Sequence, residues 1–243
     1  MNENKTSMYI KYAIGEIVLV VLGILIALQI NNWNEARKED KALKEYLVKI
    51  KSHTLEDLEK LDQISAGRAL IAENCKKARK HILDKTEGQN PFVFMSAAVA
   101  FADFYFKPNT GGYDALKNSE YFGRINNTPL DSLLSRYHSL VAQIAQNERS
   151  YNEYVVFQEA NLDTKFDRSL ILASAFIPPD SLSLRATPQA EYDRAFQEFF
   201  ATPAYRNVIS LAAWNFDMMI SEYNQLKEAG QTVIKEVDVL IKK

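Results

Sequence analysis

The side chains best suited to chemistry are few and scattered. Three histidines, His53, His81 and His138, could ligate a metal or carry a proton. None has a second histidine or a cysteine at metal-ligand spacing, which argues against a zinc or iron centre built on them. A di-metal site in a helical bundle needs Glu-x-x-His pairs, and the sequence has none. His53 stands three and four residues before Glu56 and Asp57, a spacing that reads as a solvated helix face. Lys76, Lys77, Arg79 and Lys80 form a basic cluster that reads the same way. Gly111-Gly112 reads as a turn ahead of a helix, since no phosphate-cradling glycine pattern surrounds it. No Gly-x-Ser-x-Gly elbow occurs. Cys75, the single cysteine, cannot form an internal disulfide and reads as a small buried side chain. The expectation is a chain with no catalytic site, no metal and no cofactor.

One soluble stretch stands out. The run from Phe92 to Phe122 holds more aromatic side chains than one helix face can bury. Most read as core. The remainder could line an apolar groove, with Phe94, Phe101, Phe104 and Tyr105 as candidate lining residues. Asp103 lies within the run and would need a partner if buried.

Helices must position these groups. With 8 Gly and 7 Pro in 243 residues there is little room for turn-rich β architecture, and no hairpin signal appears. Leu43, Leu47, Ile50, Thr54, Leu58, Leu61 and Ile64 recur at three- and four-residue steps, predicting a helix that runs to about Leu83, with Gly67 as a place for a kink. Four pairs of a capping residue and a proline then predict helix starts: Asn90-Pro91, Thr128-Pro129, Thr187-Pro188 and Thr202-Pro203. The predicted helices run from Pro91 to Phe106, Pro129 to about Ser169, Pro188 to Ala201 and Pro203 to about Ile241, with a short one from Gly112 to Tyr121. The stretch from Ile171 to Ala186 is ambiguous, because Pro178-Pro179 breaks any helix there.

Ahead of all this lies the most apolar segment, KYAIGEIVLVVLGILIALQINNWNE, Lys11 to Glu35. Tyr9 to Ile30 is long enough to cross a bilayer, Tyr12 and Trp33 are placed as interfacial anchors, and no small-x-small cleavage site follows. The expectation is a retained membrane anchor, with membrane lipid as its partner. Glu16 lies about one turn inside it. Glu16, Gly23 and Ala27 share one helical face, and Gly23 and Ala27 would let a second backbone approach, so this face predicts a homo-oligomer or a protein partner. More basic residues follow the span than precede it, which by itself places the following domain in the cytoplasm. The formal net charge of -2 gives no case for nucleic acid as a partner.

Lys11 to Ile17 and Gln29 to Glu35 resemble the anchor of a large, uncharacterised family of single-span bacterial membrane proteins. The stretch GGYDALKNSEYFGRINNTPLDSLLSRY, Gly111 to Tyr137, is similar to that family's second recurring stretch, with Glu120 where the family commonly has Gly. The resemblance implies an inner-membrane protein with its N-terminus inside and its helical domain on the periplasmic side. It implies no assigned activity and no catalytic residues. Together these readings predict an all-α chain: residues 1–8 as a tail, 9–33 as a transmembrane helix, and 34–243 as an antiparallel helical bundle whose first helix, 34–83, continues the anchor. Such a chain is expected to act as a membrane-anchored interaction or scaffold protein, or else as an extracytoplasmic ligand-binding sensor using residues 92–106.

Overall fold

The computed structural model describes residues 3–86, 90–163, 166–176 and 187–242, with side chains from Gly15 onward apart from those of 174–176. The described residues are helical and contain no strand. Helix α1 is a single element, Glu3–Leu83, of 81 residues. It begins six residues ahead of the expected span and passes Gly67 without interruption. Next come α2 (Pro91–Ala97), which tightens into a 3-10 turn (Ala98–Phe101), and α3 (Gly111–Lys117), followed by a second 3-10 turn (Phe122–Arg124). Then come α4 (Pro129–Asp163), α5 (Ser169–Phe176), α6 (Gln189–Ala201) and α7 (Pro203–Lys242). Pro178-Pro179 and the rest of 177–186 lie outside the described residues, and so does the side chain of Tyr12.

Three long helices, α1, α4 and α7, build the core. Ion pairs tie Lys51 to Asp238, Asp62 to Lys227 and Lys76 to Asp217, so α7 runs antiparallel to α1. Tyr151 packs on Phe216, and Asn147 bonds to Glu222, so α7 is antiparallel to α4 as well. The Tyr137–Asp57 and Arg68–Glu148 pairs keep one offset, and α1 and α4 are therefore parallel. An up-down alternation of neighbours does not describe this core, because the chain between α1 and α4 returns along α1 from Leu83 to about Asp40 before α4 starts.

The apolar stripes read from the sequence are the faces that meet. Leu47, Ile50 and Leu61 on α1, Leu134, Ile144 and Val155 on α4, and Val208, Phe216, Leu226 and Val233 on α7 are all buried. Each such side chain contributes about 1.5–3 kcal/mol by leaving water. Close approach is set by Gly230 on α7. A Cβ there would lie 2.9 Å from Leu58 Cδ2 and 3.2 Å from Tyr137 Cε2.

The helix expected from Pro91 to Phe106 stops at Ala97 as an α-helix and at Phe101 as a 3-10 turn. From Ala102 to Asn109 the chain is an extended strap, without helix, that passes down the groove between α1 and α4. Of the expected capping residues, Thr202 accepts the N–H of Tyr205 at 3.2 Å. Asn90 makes no side-chain cap bond, and the Thr128 hydroxyl donates to the Ile125 carbonyl instead.

Candidate functional site

The core is apolar except where it meets the strap. An extended segment crossing a helical core must find partners for its own backbone, because buried N–H and C=O groups are rarely left unpaired. Here side chains supply them. Arg68 donates to the Phe104 carbonyl at 2.9 Å. Glu148 accepts the Phe106 N–H at 2.9 Å, and Asp57 accepts the Asn109 N–H at 2.8 Å. Upstream, the carbonyls of Phe94 and Ala100 accept from Tyr205 and Tyr151, each at 2.7 Å. Cys75 Sγ sits 3.7 Å from the Ala97 carbonyl. These bonds are what lets the helix end early.

Arg68 and Glu148 are each 1 % exposed and form an ion pair at 3.4 Å. Glu148 also accepts the Tyr223 hydroxyl at 2.5 Å, so both carboxylate oxygens are engaged. The Arg68 guanidinium lies 4.8 Å from the centre of the Phe216 ring, a geometry in which the ring face stabilises the cation. Its Nε has no partner. Burial raises the pKa of the Tyr223, Tyr151, Tyr205 and Tyr137 hydroxyls, and Asp57 reinforces the effect at Tyr137. Burial also pushes the Cys75 thiol up to about 12, so it remains protonated and unreactive at neutral pH.

Asp57 overturns the reading of His53, Glu56 and Asp57 as a solvated face. Its carboxylate is 1 % exposed and also accepts the Tyr137 hydroxyl at 3.0 Å. His53 Nδ1 accepts the Gly112 N–H at 2.9 Å, and His138 stacks on Tyr113 with ring centres 3.9 Å apart. Gly111-Gly112 forms the first turn of α3, and Gly112 is required there: a Cβ would lie 2.9 Å from Ile50 N and 3.0 Å from Lys49 C. The second stretch singled out by resemblance is thus the place where α3 docks on α1.

The four aromatic groove candidates do not line one cavity. Phe94 is fully buried among Phe200 and Tyr205. Phe101 lines a hollow of about 320 Å³ with Met95, Val99, Leu172 and Phe199. Tyr105 lines a separate, open hollow beside Lys60 and Ile64, while Phe104 is half-exposed on the strap. Asp103 is exposed and needs no partner.

In the apolar part of α1, none of the most apolar window is buried, and Ile17 to Ile30 stand bare on every side. Glu16, Gly23 and Ala27 are exposed, with nothing within 4 Å of a Cβ built at Gly23. Trp33 is exposed, with Arg37 5.9 Å from its ring centre.

The class so defined is an all-helical protein led by one long apolar helix, with an apolar core whose few buried polar side chains pair with its own backbone. The chain belongs to a family of unknown function, DUF6090, whose model matches residues 16–173. The match takes in the apolar segment, the strap, α3 and α4, and it stops short of α7. No curated protein and no solved structure matches the chain.

Sequence reasoning missed Arg68 and Glu148. The signal was available in their register: each is a charged residue at a core position of an apolar stripe, between Leu61 and Cys75 on α1 and between Ile144 and Tyr151 on α4.

Proposed function

We propose that this chain is a single-pass membrane protein, in which α1 crosses the bacterial inner membrane and carries a helical bundle on a rigid stalk, to act as a scaffold for a partner. One observation supports this above the rest. The same helix that leaves Ile17 to Ile30 uncovered on every side buries one apolar face from Leu47 onward. Tyr9 to Ile30 spans about 32 Å at 1.5 Å per residue, against a bilayer core of about 30 Å. Trp33 to Leu47 adds a stalk of about 21 Å. The uncovered face of Glu16, Gly23 and Ala27 would take a second helix, from another copy or from a partner. The resemblance favours a bundle on the periplasmic side.

The test is carbonate extraction of the full chain together with C-terminal alkaline-phosphatase and fluorescent-protein fusions. Retention in the membrane with an active phosphatase is expected. A chain released by carbonate overturns the anchor; a fluorescent cytoplasmic fusion overturns the orientation alone. Gly23→Leu should weaken cross-linking between copies or to a partner, and unchanged cross-linking counts against the packing face.

The hollow around Phe101 favours a second reading, a sensor of small apolar ligands. Its volume of about 320 Å³ is at the lower end for ligand sites. Enhanced fluorescence of a naphthalene-sulfonate probe, abolished by Val99→Trp, would support it, and probe binding unaffected by that change would remove it.

A further inference from the structure

The bare face of α1 does not end with the apolar segment. Lys41 follows Gly23 by about five turns at 3.6 residues per turn, so the two point the same way from the helix axis. Arg37, Lys44, Val48 and Leu55 fall within about 60° of that direction. Arg37 and Lys41 are exposed, and Val48 and Leu55 are 53 % and 48 % exposed. A shallow hollow along this face is lined by Arg37, Lys41, Lys44, Val48 and Lys49. The carboxylates that also line it are Asp40 and Glu45, and Asp40 is taken by Arg124. Cations therefore dominate the face, with two bulky apolar side chains along it.

We propose that this face docks an acidic, amphipathic helix of a different chain anchored in the same membrane. The inference rests on the reading of α1 as a retained anchor, and it decides between the two occupants that reading leaves open. Copies held in one membrane stand parallel, and a two-fold pair sets each residue beside its own counterpart. Arg37, Lys41 and Lys44 would then meet themselves, and like charges facing each other across an interface disfavour it. Gly23 and Ala27 admit a second backbone within the bilayer, but the stalk above them rejects a copy of this chain.

Lipid headgroups do not reach far enough to be the occupant. They extend about 5–8 Å beyond the hydrocarbon core on each side. Lys41, Lys44 and Lys49 stand about 17, 21 and 29 Å beyond Ile30 along the helix. Val48 and Leu55 are one heptad apart, the spacing at which a helix lying alongside offers its own apolar residues. Acidic residues flanking those on the partner would meet the lysines.

The probe is this chain with its stalk charge reversed. The natural chain and the variant Lys41→Glu, Lys44→Glu each receive Val48→Cys and are reconstituted together, under different tags, in zwitterionic vesicles. Cys75 is buried and does not compete for the disulfide. The reference is a pair of differently tagged natural chains, both with Val48→Cys. Under mild oxidation the natural–variant disulfide should exceed the natural–natural one by at least about threefold, since exposed charge pairs are individually weak and act here as a group. The excess should shrink in about 1 M salt, where charges are screened beyond about 3 Å. Should the double charge change impair folding, Lys41→Glu alone should give a smaller excess of the same sign. Equal yields of the two disulfides overturn the acidic partner, because a second natural copy then fits as well. Loss of the excess when phosphatidylglycerol is added assigns the face to headgroups and overturns it too. Carbonate extraction of the same vesicles separates the two readings: release of the chain removes the anchor and this inference with it, whereas retention without any excess removes this inference alone.

Discussion

Replacing Arg68 with methionine removes one half of a buried ion pair and leaves the other half in place. Met fills much of the volume over the Phe216 ring, so the packing loss is small. The electrostatic loss is large. Glu148 would remain 1 % exposed, with its charge held only by the Tyr223 hydroxyl and the Phe106 N–H. Breaking a buried pair in this way costs about 3–5 kcal/mol. The Phe104 carbonyl also loses its donor at 2.9 Å, which adds about 1–3 kcal/mol if it stays buried. With a urea m-value of about 2–3 kcal/mol per molar, the midpoint of the full chain in detergent should fall by at least about 1 M. The double variant Arg68→Met, Glu148→Gln should recover part of this, because no unpaired charge remains, although the Phe104 carbonyl stays unpartnered. The control is Lys77→Ala, which removes an exposed pair with Glu73 at 3.5 Å and should cost less than about 0.5 kcal/mol. If Arg68→Met and Lys77→Ala shift the midpoint equally, or if the double variant is no better than Arg68→Met, the reasoning on the buried pair is wrong.

Three glycines should respond differently to alanine. Gly67→Ala meets nothing within 4 Å and should stabilise by about 0.5–1 kcal/mol through helix propensity alone. Gly112→Ala meets backbone at 2.9 Å and 3.0 Å and should destabilise by about 1–3 kcal/mol; urea midpoints check both. Gly230→Ala meets the flexible end of Leu58, so its propensity gain offsets part of the clash and it should fall between the other two. Burial raises the pKa of Tyr137, Tyr151, Tyr205 and Tyr223, so the folded state keeps protons that the unfolded state loses. Stability should therefore fall as pH rises above the ordinary tyrosine value of about 10, and tyrosinate absorbance from these four should appear only together with loss of helicity. Tyr205→Phe leaves the buried Phe94 carbonyl without its donor at 2.7 Å and should cost about 1–3 kcal/mol, read as a lower thermal midpoint.

The parts of this fold that were legible in the sequence are those where one helix decides its own pattern. The stripe from Leu43 to Ile64 marks the face of α1 that meets α7, and Tyr205 to Val237 marks the reverse face, because burial repeats with the 3.6-residue period of the element itself. The bare segment Ile17 to Ile30 stands out for the same reason, since it has no period at all. The strap was illegible because nothing local specifies it. Val93 to Phe106 is apolar and contains no helix breaker, so local propensity favours continuing the helix. What ends it is a set of partners 22 to 111 residues away: Cys75, Tyr151 and Tyr205 on its carbonyls, then Arg68, Glu148 and Asp57 on the extended backbone beyond. A polar residue on an apolar stripe is ambiguous when its helix is read alone. Two of opposite sign, Arg68 and Glu148, falling at core positions of two helices that run parallel, have one economical arrangement, in which each neutralises the other and both serve whatever backbone passes between them. The extended passage between α1 and α4 and the buried charges are thus one feature seen twice, and the tyrosines on α7 that close it explain why α7 packs against both helices.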